Sequence, residues 1–182
     1  MNRLASALLL AGCLVATPVL AALKLGNPAP DFTAQAAVGG QVFSFSLAEA
    51  LKKGPVVLYF FPKAFTTGCT AEAHDFAEAS GRFAAAGATL IGMSADGIET
   101  LQRFSTQECS AKFPVAADPD LKVIRAYDSL VARNTGAGVA ERVSYVIAPD
   151  DTIAYVYRDN NPDKHVENTL AALGRLKPKQ GG

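Results

Sequence analysis

The chain has 182 residues, of which 49% are hydrophobic and 19% are charged, and its formal net charge is zero. This length is enough for one domain with a buried core, and the balance of residue types is that of a globular protein. The sequence has no basic stripe and no interleaved aromatic and basic residues, which argues against nucleic acid as a partner. We therefore expect one globular domain with no nucleic-acid partner.

The first 21 residues have the pattern of a secretory signal peptide. The only charge is Arg3, an uncharged apolar run extends from 4 to 16, and small residues end at Ala21, where a signal peptidase would cleave. We therefore expect residues 1–21 to be removed and residues 22–182 to form the mature domain. The expected location is the periplasm.

The same segment leaves two alternatives open. Residues 10–13 (LAGC) match a lipoprotein cleavage box, which would attach a lipid to Cys13, and residues 4–23 are uncharged over a length that could anchor in a membrane. If the signal peptide is removed, Cys69 and Cys109 remain as an even pair in an oxidising compartment. Such a pair is either a static structural disulfide or a redox-active pair.

Turn signals and hydrophobic periodicity predict alternating strands and helices. In chain order we expect a β-hairpin (32–36 and 41–45), a capped helix (46–53), a buried strand (56–61), a helix (70–86), a second buried strand (88–94), a helix from 96 to about 110, a short strand (113–117), a helix after 120, a loop (131–141), a second hairpin (143–148 and 152–157) and a last helix opened by 161 and 162. This order predicts an α/β fold with a central mixed sheet, helices on both faces and an N-terminal β-hairpin, in a thioredoxin-like arrangement.

Chemically, the most informative stretch is 55–76. An apolar strand ends at Pro62, a polar loop follows, and Cys69 stands where the helical pattern begins. The N–H groups and dipole of a helix N-terminus favour a thiolate over a thiol, and a nearby guanidinium would favour it further. The hydroxyl of Thr66 can contact a small hydroxyl-bearing substrate, and Pro62 closes the other side of the pocket. A compact peroxide fits such a site, since a thiolate that attacks its O–O bond becomes a sulfenic acid.

The segment YFFPKAFTTGCTAEAHDF, with its P-x-x-x-T-x-x-C spacing, carries a family resemblance. Residues 26–32, 117–120 and 142–147 extend it along essentially the whole mature chain. On these motifs the sequence resembles a peroxiredoxin of the peroxiredoxin Q, or bacterioferritin-comigratory-protein, branch of the alkyl hydroperoxide reductase/thiol-specific antioxidant family. The resemblance implies a thioredoxin-like fold and a thiol-dependent peroxidase that uses no metal, haem or flavin.

The resemblance also implies a role for each residue of the motif. Cys69 would be the peroxidatic nucleophile, Thr66 would orient the peroxide, and Pro62 would shield the thiolate. Arg142 would stabilise both the thiolate and the departing oxygen. Glu72 would hold Arg142 or a neighbouring residue in place through a charge-assisted contact.

The second cysteine is where the sequence departs from the family pattern. Many members of the branch carry a cysteine five residues after the first, at the position of His74 in this chain. Other members place it in the helix after the second interior strand, and Cys109 lies in that predicted helix. We therefore expect Cys109 to resolve the sulfenic acid as an intramolecular disulfide. The alternatives are a one-cysteine enzyme resolved by an external thiol, and a redox-inert domain with a structural 69–109 disulfide.

The remaining expectations concern partners and the two histidines. The substrate would be hydrogen peroxide or a small organic hydroperoxide, the reductant a thioredoxin-like protein or another thiol, and the protein a monomer or a weak homodimer. His74 and His165 are expected at the surface, the latter on a last helix that turns Val166, Leu170 and Leu173 inward. Two histidines without a spaced set of carboxylates or cysteines predict no metal site.

Overall fold

A computed structural model describes residues 23–133 and 136–176 of the chain. The predictions for residues 1–21, including the signal peptide and the lipid attachment at Cys13, lie outside the described residues. Within the part that is described, no helix is both long enough and apolar enough to cross a membrane.

In the described part of the chain, seven strands form one mixed sheet, and two further strands form a separate hairpin. The strands are β1 Thr33–Val38, β2 Gln41–Ser46, β3 Val56–Phe60, β4 Thr89–Ser94, β5 Val115–Ala117, β6 Leu130–Arg133, β7 Gly136–Ala140, β8 Val143–Ile147 and β9 Ile153–Arg158. The order in the main sheet is β2-β1-β5-β4-β3-β8-β9, with β3, β4 and β5 mutually parallel and the other pairs antiparallel. The predicted mixed sheet and N-terminal hairpin are confirmed.

Helices cover both faces of this sheet. They are α1 Leu47–Leu51, α2 Thr67–Ala85, α3 Ile98–Gln107, α4 Lys122–Ala126 and α5 His165–Leu173, with a 3₁₀ turn at Pro162–Lys164 before the last. α1 and α4 pack on one face, whereas α2, α3 and α5 pack on the other. All five residues of β3 are buried, because this strand lies inside the sheet and is covered on both sides.

Three predicted boundaries or elements are wrong. Residues 131–141 were expected to be a loop, but β6 and β7 pair there in antiparallel register, with Val131 opposite Val139. Their alanines and glycines give little hydrophobic alternation, so the pattern alone does not reveal the hairpin. α2 begins at Thr67 rather than at 70, which places Cys69 inside its first turn. α3 ends at Gln107, so Cys109 lies beyond the helix in which it was predicted.

Candidate active site

The cysteine of the motif lies at the junction between a central strand and a long helix. β3 ends at Phe60, a short loop follows, and Thr66 is the N-cap of α2 in an extended conformation. The Thr66 carbonyl accepts the N–H of Thr70 at 2.8 Å, which closes the first turn of the helix around Cys69. The Cys69 side chain is only 2% exposed. The sulfur is therefore held at the positive end of a 19-residue helix and is largely shielded from bulk water.

The register of the sheet brings the motif arginine to this junction. β3 and β8 are antiparallel, with Phe60 opposite Val143, so the residue before β8 lies beside the loop that follows β3. That residue is Arg142, whose Nη2 donates to Cys69 Sγ at 3.4 Å. A Cβ at Gly68 would lie 3.2 Å from the same Nη2, so the guanidinium packs directly on the start of α2. Arg142 is 5% exposed, and its charge is screened little by solvent.

One turn further along α2, a buried carboxyl group faces the same arginine. Arg142 Nη1 donates to Glu72 Oε2, and Glu72 is fully buried. The burial raises the pKa of Glu72 to about 8, although the charge of Arg142 and its hydrogen bond lower it. The third donor of the guanidinium, Nε, binds the Asn160 carbonyl at 2.9 Å. The predicted contact between Glu72 and Arg142 is thus present in the structure.

The other two motif residues border the loop. Pro62 is half-buried at the end of β3, and Thr66 is exposed. The Thr66 hydroxyl donates its single hydrogen to the Lys63 carbonyl at 2.9 Å, rather than capping the helix. Its oxygen lone pairs therefore stay free to accept a hydrogen bond from a hydroxyl-bearing ligand.

The second cysteine, Cys109, is fully buried. Cys69 and Cys109 are both free thiols. Burial raises the pKa of the Cys109 thiol, and the charge of Glu108 raises it further. The next two residues, Ser110 and Ala111, both have a positive φ, which non-glycine residues rarely adopt. His74 is exposed as predicted, and its Nε2 lies 2.8 Å from Glu108 Oε2, which links α2 to the end of α3. In this conformation Cys109 is therefore protonated and enclosed.

Two residues of the site were not identified from the sequence. Asp96 Oδ2 accepts the N–H of Ala64 at 2.8 Å and the hydroxyl of Ser94 at 2.9 Å, so it ties the loop before Cys69 to the end of β4. Its place just beyond a strand parallel to β3 was the available signal, because parallel strands end at the same edge of a sheet. His165 was expected at the surface, which is wrong: its side chain is fully buried beside Glu72.

No cluster of three or more His, Cys, Asp or Glu side chains is placed to hold a metal ion among residues 23–133 and 136–176. The arrangement is instead that of a reactive sulfur. A buried cysteine at a helix N-terminus, next to an arginine that donates to its sulfur, defines a thiol-based redox protein.

Comparison with known proteins agrees with this class. Residues 25–156 match the model of the AhpC/TSA family, and the chain belongs to this family. It is similar to the chloroplastic peroxiredoxin Q of Sedum lineare, with 31% identity over 160 residues that span 87% of this chain and 82% of that protein. It is also similar to peroxiredoxin Bcp of Xanthomonas campestris pv. campestris, with 33% identity over 121 residues, 65% of this chain and 75% of that protein.

Solved structures give the same result. The crystal structure of peroxidoxin BcpB from Mycobacterium tuberculosis superposes with a TM-score of 0.78 at 26% identity and covers 86% of this chain and 99% of that one. Xanthomonas campestris peroxiredoxin Q gives a TM-score of 0.71 at 29% identity, with 85% and 97% covered. The predicted thioredoxin-like fold and the resemblance to peroxiredoxins are confirmed. Peroxiredoxins are thiol peroxidases, and the protein is therefore an enzyme, an oxidoreductase of this class.

Proposed function

We propose that the protein reduces hydrogen peroxide and small organic hydroperoxides through a sulfenic acid on Cys69. The single observation that carries this proposal is the 3.4 Å contact between Arg142 Nη2 and Cys69 Sγ in a buried site. The thiolate attacks the terminal peroxide oxygen, an S–O bond forms and the O–O bond breaks. The sulfur is oxidised by two electrons, and the departing oxygen takes a proton to leave as water or an alcohol. The guanidinium stabilises charge first on the sulfur and then on the departing oxygen.

Thr66 and Pro62 complete the pocket in this mechanism. Because the hydroxyl of Thr66 already donates to Lys63, its oxygen accepts from the O–H of the bound peroxide and orients the O–O bond toward the sulfur. Pro62 has no N–H and shields the thiolate from water. Glu72 holds Nη1 of Arg142, so that Nη2 remains directed at the sulfur.

Cys109 is proposed to resolve the sulfenic acid. Its thiol attacks the Cys69 sulfur, a disulfide forms, and the hydroxyl leaves as water with the thiol proton. Cys109 is fully buried, and we propose that the segment after α3 opens to bring it to the Cys69 sulfur. The left-handed residues Ser110 and Ala111 make this segment a strained point at which opening can begin. Two alternatives remain. If an external thiol resolves the sulfenic acid, Cys109 is dispensable for turnover. If the two cysteines form a permanent structural disulfide, Cys109 takes no part in redox chemistry.

The proposed reductant of the disulfide is a thioredoxin-like protein with two thiols. Removal of residues 1–21 and export to the periplasm are part of the proposal, with lipid attachment at Cys13 as the alternative. Because the protein would then work in the periplasm, the expected partner is a periplasmic thioredoxin-like protein. The protein is proposed to act as a monomer or a weak homodimer.

A pair of substitutions at Thr66 tests the proposal through peroxide consumption with dithiothreitol as reductant. Thr66→Val keeps the shape of the side chain but removes its hydroxyl, and we expect kcat/KM for hydrogen peroxide to fall by about tenfold to a hundredfold. Thr66→Ser keeps the hydroxyl and should retain most of the activity. Equal activity of all three proteins would contradict the proposed role of Thr66, and no peroxide consumption by the unmodified protein would overturn the proposed function.

A further inference from the structure

His165 is the first residue of α5 and lies against the sheet rather than in solvent. Its Nδ1 is 2.8 Å from Ser144 Oγ, and its Nε2 is 3.0 Å from the carbonyl oxygen of Asp159. The Tyr157 ring packs edge-on against the imidazole, with centroids 4.8 Å apart. Both ring nitrogens of this fully buried histidine therefore have partners, and the ring has one defined orientation.

The protonation of the ring follows from its surroundings. Burial lowers the pKa of His165, and the charge of Arg142 adds to this effect, although the Asp159 carbonyl and carboxylate oppose it. The charged and titratable groups that face it are Glu72 from α2, Arg142 before β8, and Asp159 and Tyr157 from β9 and the turn after it. Because a carbonyl only accepts, the neutral ring donates from Nε2 to Asp159, and its Nδ1 accepts from Ser144.

The Asp159 carbonyl, which binds Nε2 of His165, is next in the chain to the Asn160 carbonyl, which binds Arg142. Arg142 Nε donates to the carbonyl of Asn160, and His165 donates to the carbonyl of Asp159. Two consecutive carbonyls of one short backbone segment are thus held by the histidine and by the arginine. The position of the guanidinium depends on this segment through the Asn160 carbonyl. His165 is the group that holds the segment from the interior, whereas the Asp159 side chain, which accepts the N–H of Asn161 at 2.9 Å, holds it from the exposed side.

A second contact leads to the same arginine through Glu72. One carboxyl oxygen, Oε2, accepts from Arg142 Nη1, whereas the other, Oε1, is buried without a hydrogen-bond partner. His165 Nδ1 lies 3.8 Å from that Oε1. The imidazole therefore lies beside the carboxyl oxygen that does not face Arg142 and limits the space into which Glu72 could turn away from the arginine.

We propose that His165 is a positioning residue of the peroxidase site, which holds the Asp159–Asn160 backbone and Glu72 so that Arg142 donates to the sulfur of Cys69. This inference rests on the proposed function of Cys69 and Arg142. Nothing places the ring in contact with the sulfur, and its effect passes through the guanidinium alone. Loss of the ring nitrogens frees the arginine to tilt, which lowers the thiolate fraction of Cys69 and its rate of oxidation together.

Substitution of His165 by phenylalanine and by glutamine tests this inference. Phenylalanine fills the same space without a donor, whereas the amide nitrogen of glutamine reaches the position of Nε2 and can donate to the Asp159 carbonyl. All variants carry Cys109→Ser, so that ultraviolet absorbance reports the thiolate of Cys69 as a function of pH, and stopped-flow mixing with hydrogen peroxide gives the oxidation rate. We expect His165→Phe to lower the thiolate fraction of Cys69 at neutral pH and its oxidation rate by about tenfold each. His165→Gln should retain most of the thiolate fraction and most of the oxidation rate.

Thr169→Val provides the matched control on the same helix. Thr169 is fully buried and donates to the carbonyls of His165 and Val166 at 2.7 and 2.9 Å, within α5. We expect this substitution to lower the melting temperature without changing the thiolate titration or the oxidation rate. If His165→Phe does not fold, His165→Asn replaces it, because asparagine keeps a polar group beside Ser144 but does not reach the Asp159 carbonyl.

Two results would overturn the inference. One is a folded phenylalanine or asparagine variant whose thiolate titration and oxidation rate match those of the parent protein. The other is a glutamine variant whose thiolate fraction and oxidation rate fall as far as those of the phenylalanine variant. The thiolate titration needs no peroxide, so it decides the role of His165 even if the parent protein fails to react with peroxide, a failure that would contradict the proposed function instead.

Discussion

Replacement of Cys69 by serine is expected to abolish peroxide reduction, leaving only the uncatalysed rate. A serine hydroxyl is almost the same size as the thiol, so the buried contacts of Arg142 and Glu72 are retained while the nucleophile is lost. The hydroxyl is not ionised at neutral pH and cannot form a sulfenic acid. The measurement is peroxide consumption with dithiothreitol as reductant, followed over many turnovers.

Cys109→Ser is the matched control for this loss. It removes the other buried thiol but leaves the Arg142–Cys69 contact intact, and its first turnover should proceed at the rate of the unmodified protein. If Cys69→Ser consumed peroxide as fast as the unmodified protein, the nucleophile would have been assigned to the wrong residue. If Cys109→Ser lost the first turnover as well, the assignment of Cys109 to the resolving step would be wrong.

Replacement of Arg142 by methionine is expected to lower kcat/KM for hydrogen peroxide by about a hundredfold to a thousandfold, which is the usual effect of removing one donor that stabilises transition-state charge. The substitution leaves Glu72 in a buried site without its cation, and it removes the donor that lies 3.4 Å from the Cys69 sulfur. Arg142→Lys should recover little of the activity, because an ammonium group cannot donate to Glu72, Asn160 and Cys69 in the fixed geometry of a guanidinium.

Arg82→Met is the corresponding control on the surface of the same helix that carries Cys69. Arg82 pairs with Glu167 at 2.8 Å, and both side chains are more than half exposed. An exposed pair of this kind contributes little to stability, so the variant should keep the full rate. An Arg142→Met protein that folded and retained the rate of Arg82→Met would contradict the role assigned to the guanidinium.

The arrangement of the candidate site could be predicted from the sequence because its main parts lie in one continuous segment. The end of a buried strand, the loop and the start of a helix place Pro62, Thr66 and Cys69 within eight residues. Arg142 comes from elsewhere in the chain, but it stands at the start of a predicted strand, and the pairing of Phe60 with Val143 brings it to the loop. Only the family resemblance indicated which strand would supply that arginine.

The last helix shows where hydrophobic periodicity was insufficient. The sequence favoured an inward face of Val166, Leu170 and Leu173, because leucine is more hydrophobic than histidine or threonine. The structure instead buries His165, Val166, Thr169, Ala172 and Leu173, whereas Leu170 is only half-buried. The face is rotated because polar partners on the sheet, Ser144 and the Asp159 carbonyl, satisfy the histidine in the interior. Such partners become adjacent only when the tertiary fold forms.

The end of α3 has a similar explanation. A helix reaching about residue 110 would have placed Cys109 on a helical face, but the helix ends at Gln107, and the backbone turns through left-handed conformations at Ser110 and Ala111. No glycine or asparagine marks this turn in the sequence. The contact of His74 with Glu108 and the burial of Cys109 depend on where the tertiary fold places the end of α3 relative to α2, which local propensity does not determine.

The most direct test of the central claim is the intact mass of the reduced protein before and after one equivalent of hydrogen peroxide, measured together with the Cys109→Ser variant. We expect the unmodified protein to lose two hydrogens rapidly as the 69–109 disulfide forms, and the variant to gain one oxygen on Cys69. A gain of oxygen in both proteins would identify a one-cysteine enzyme. No rapid change of mass in either protein would contradict the assignment of Cys69 as a peroxide-reducing thiolate.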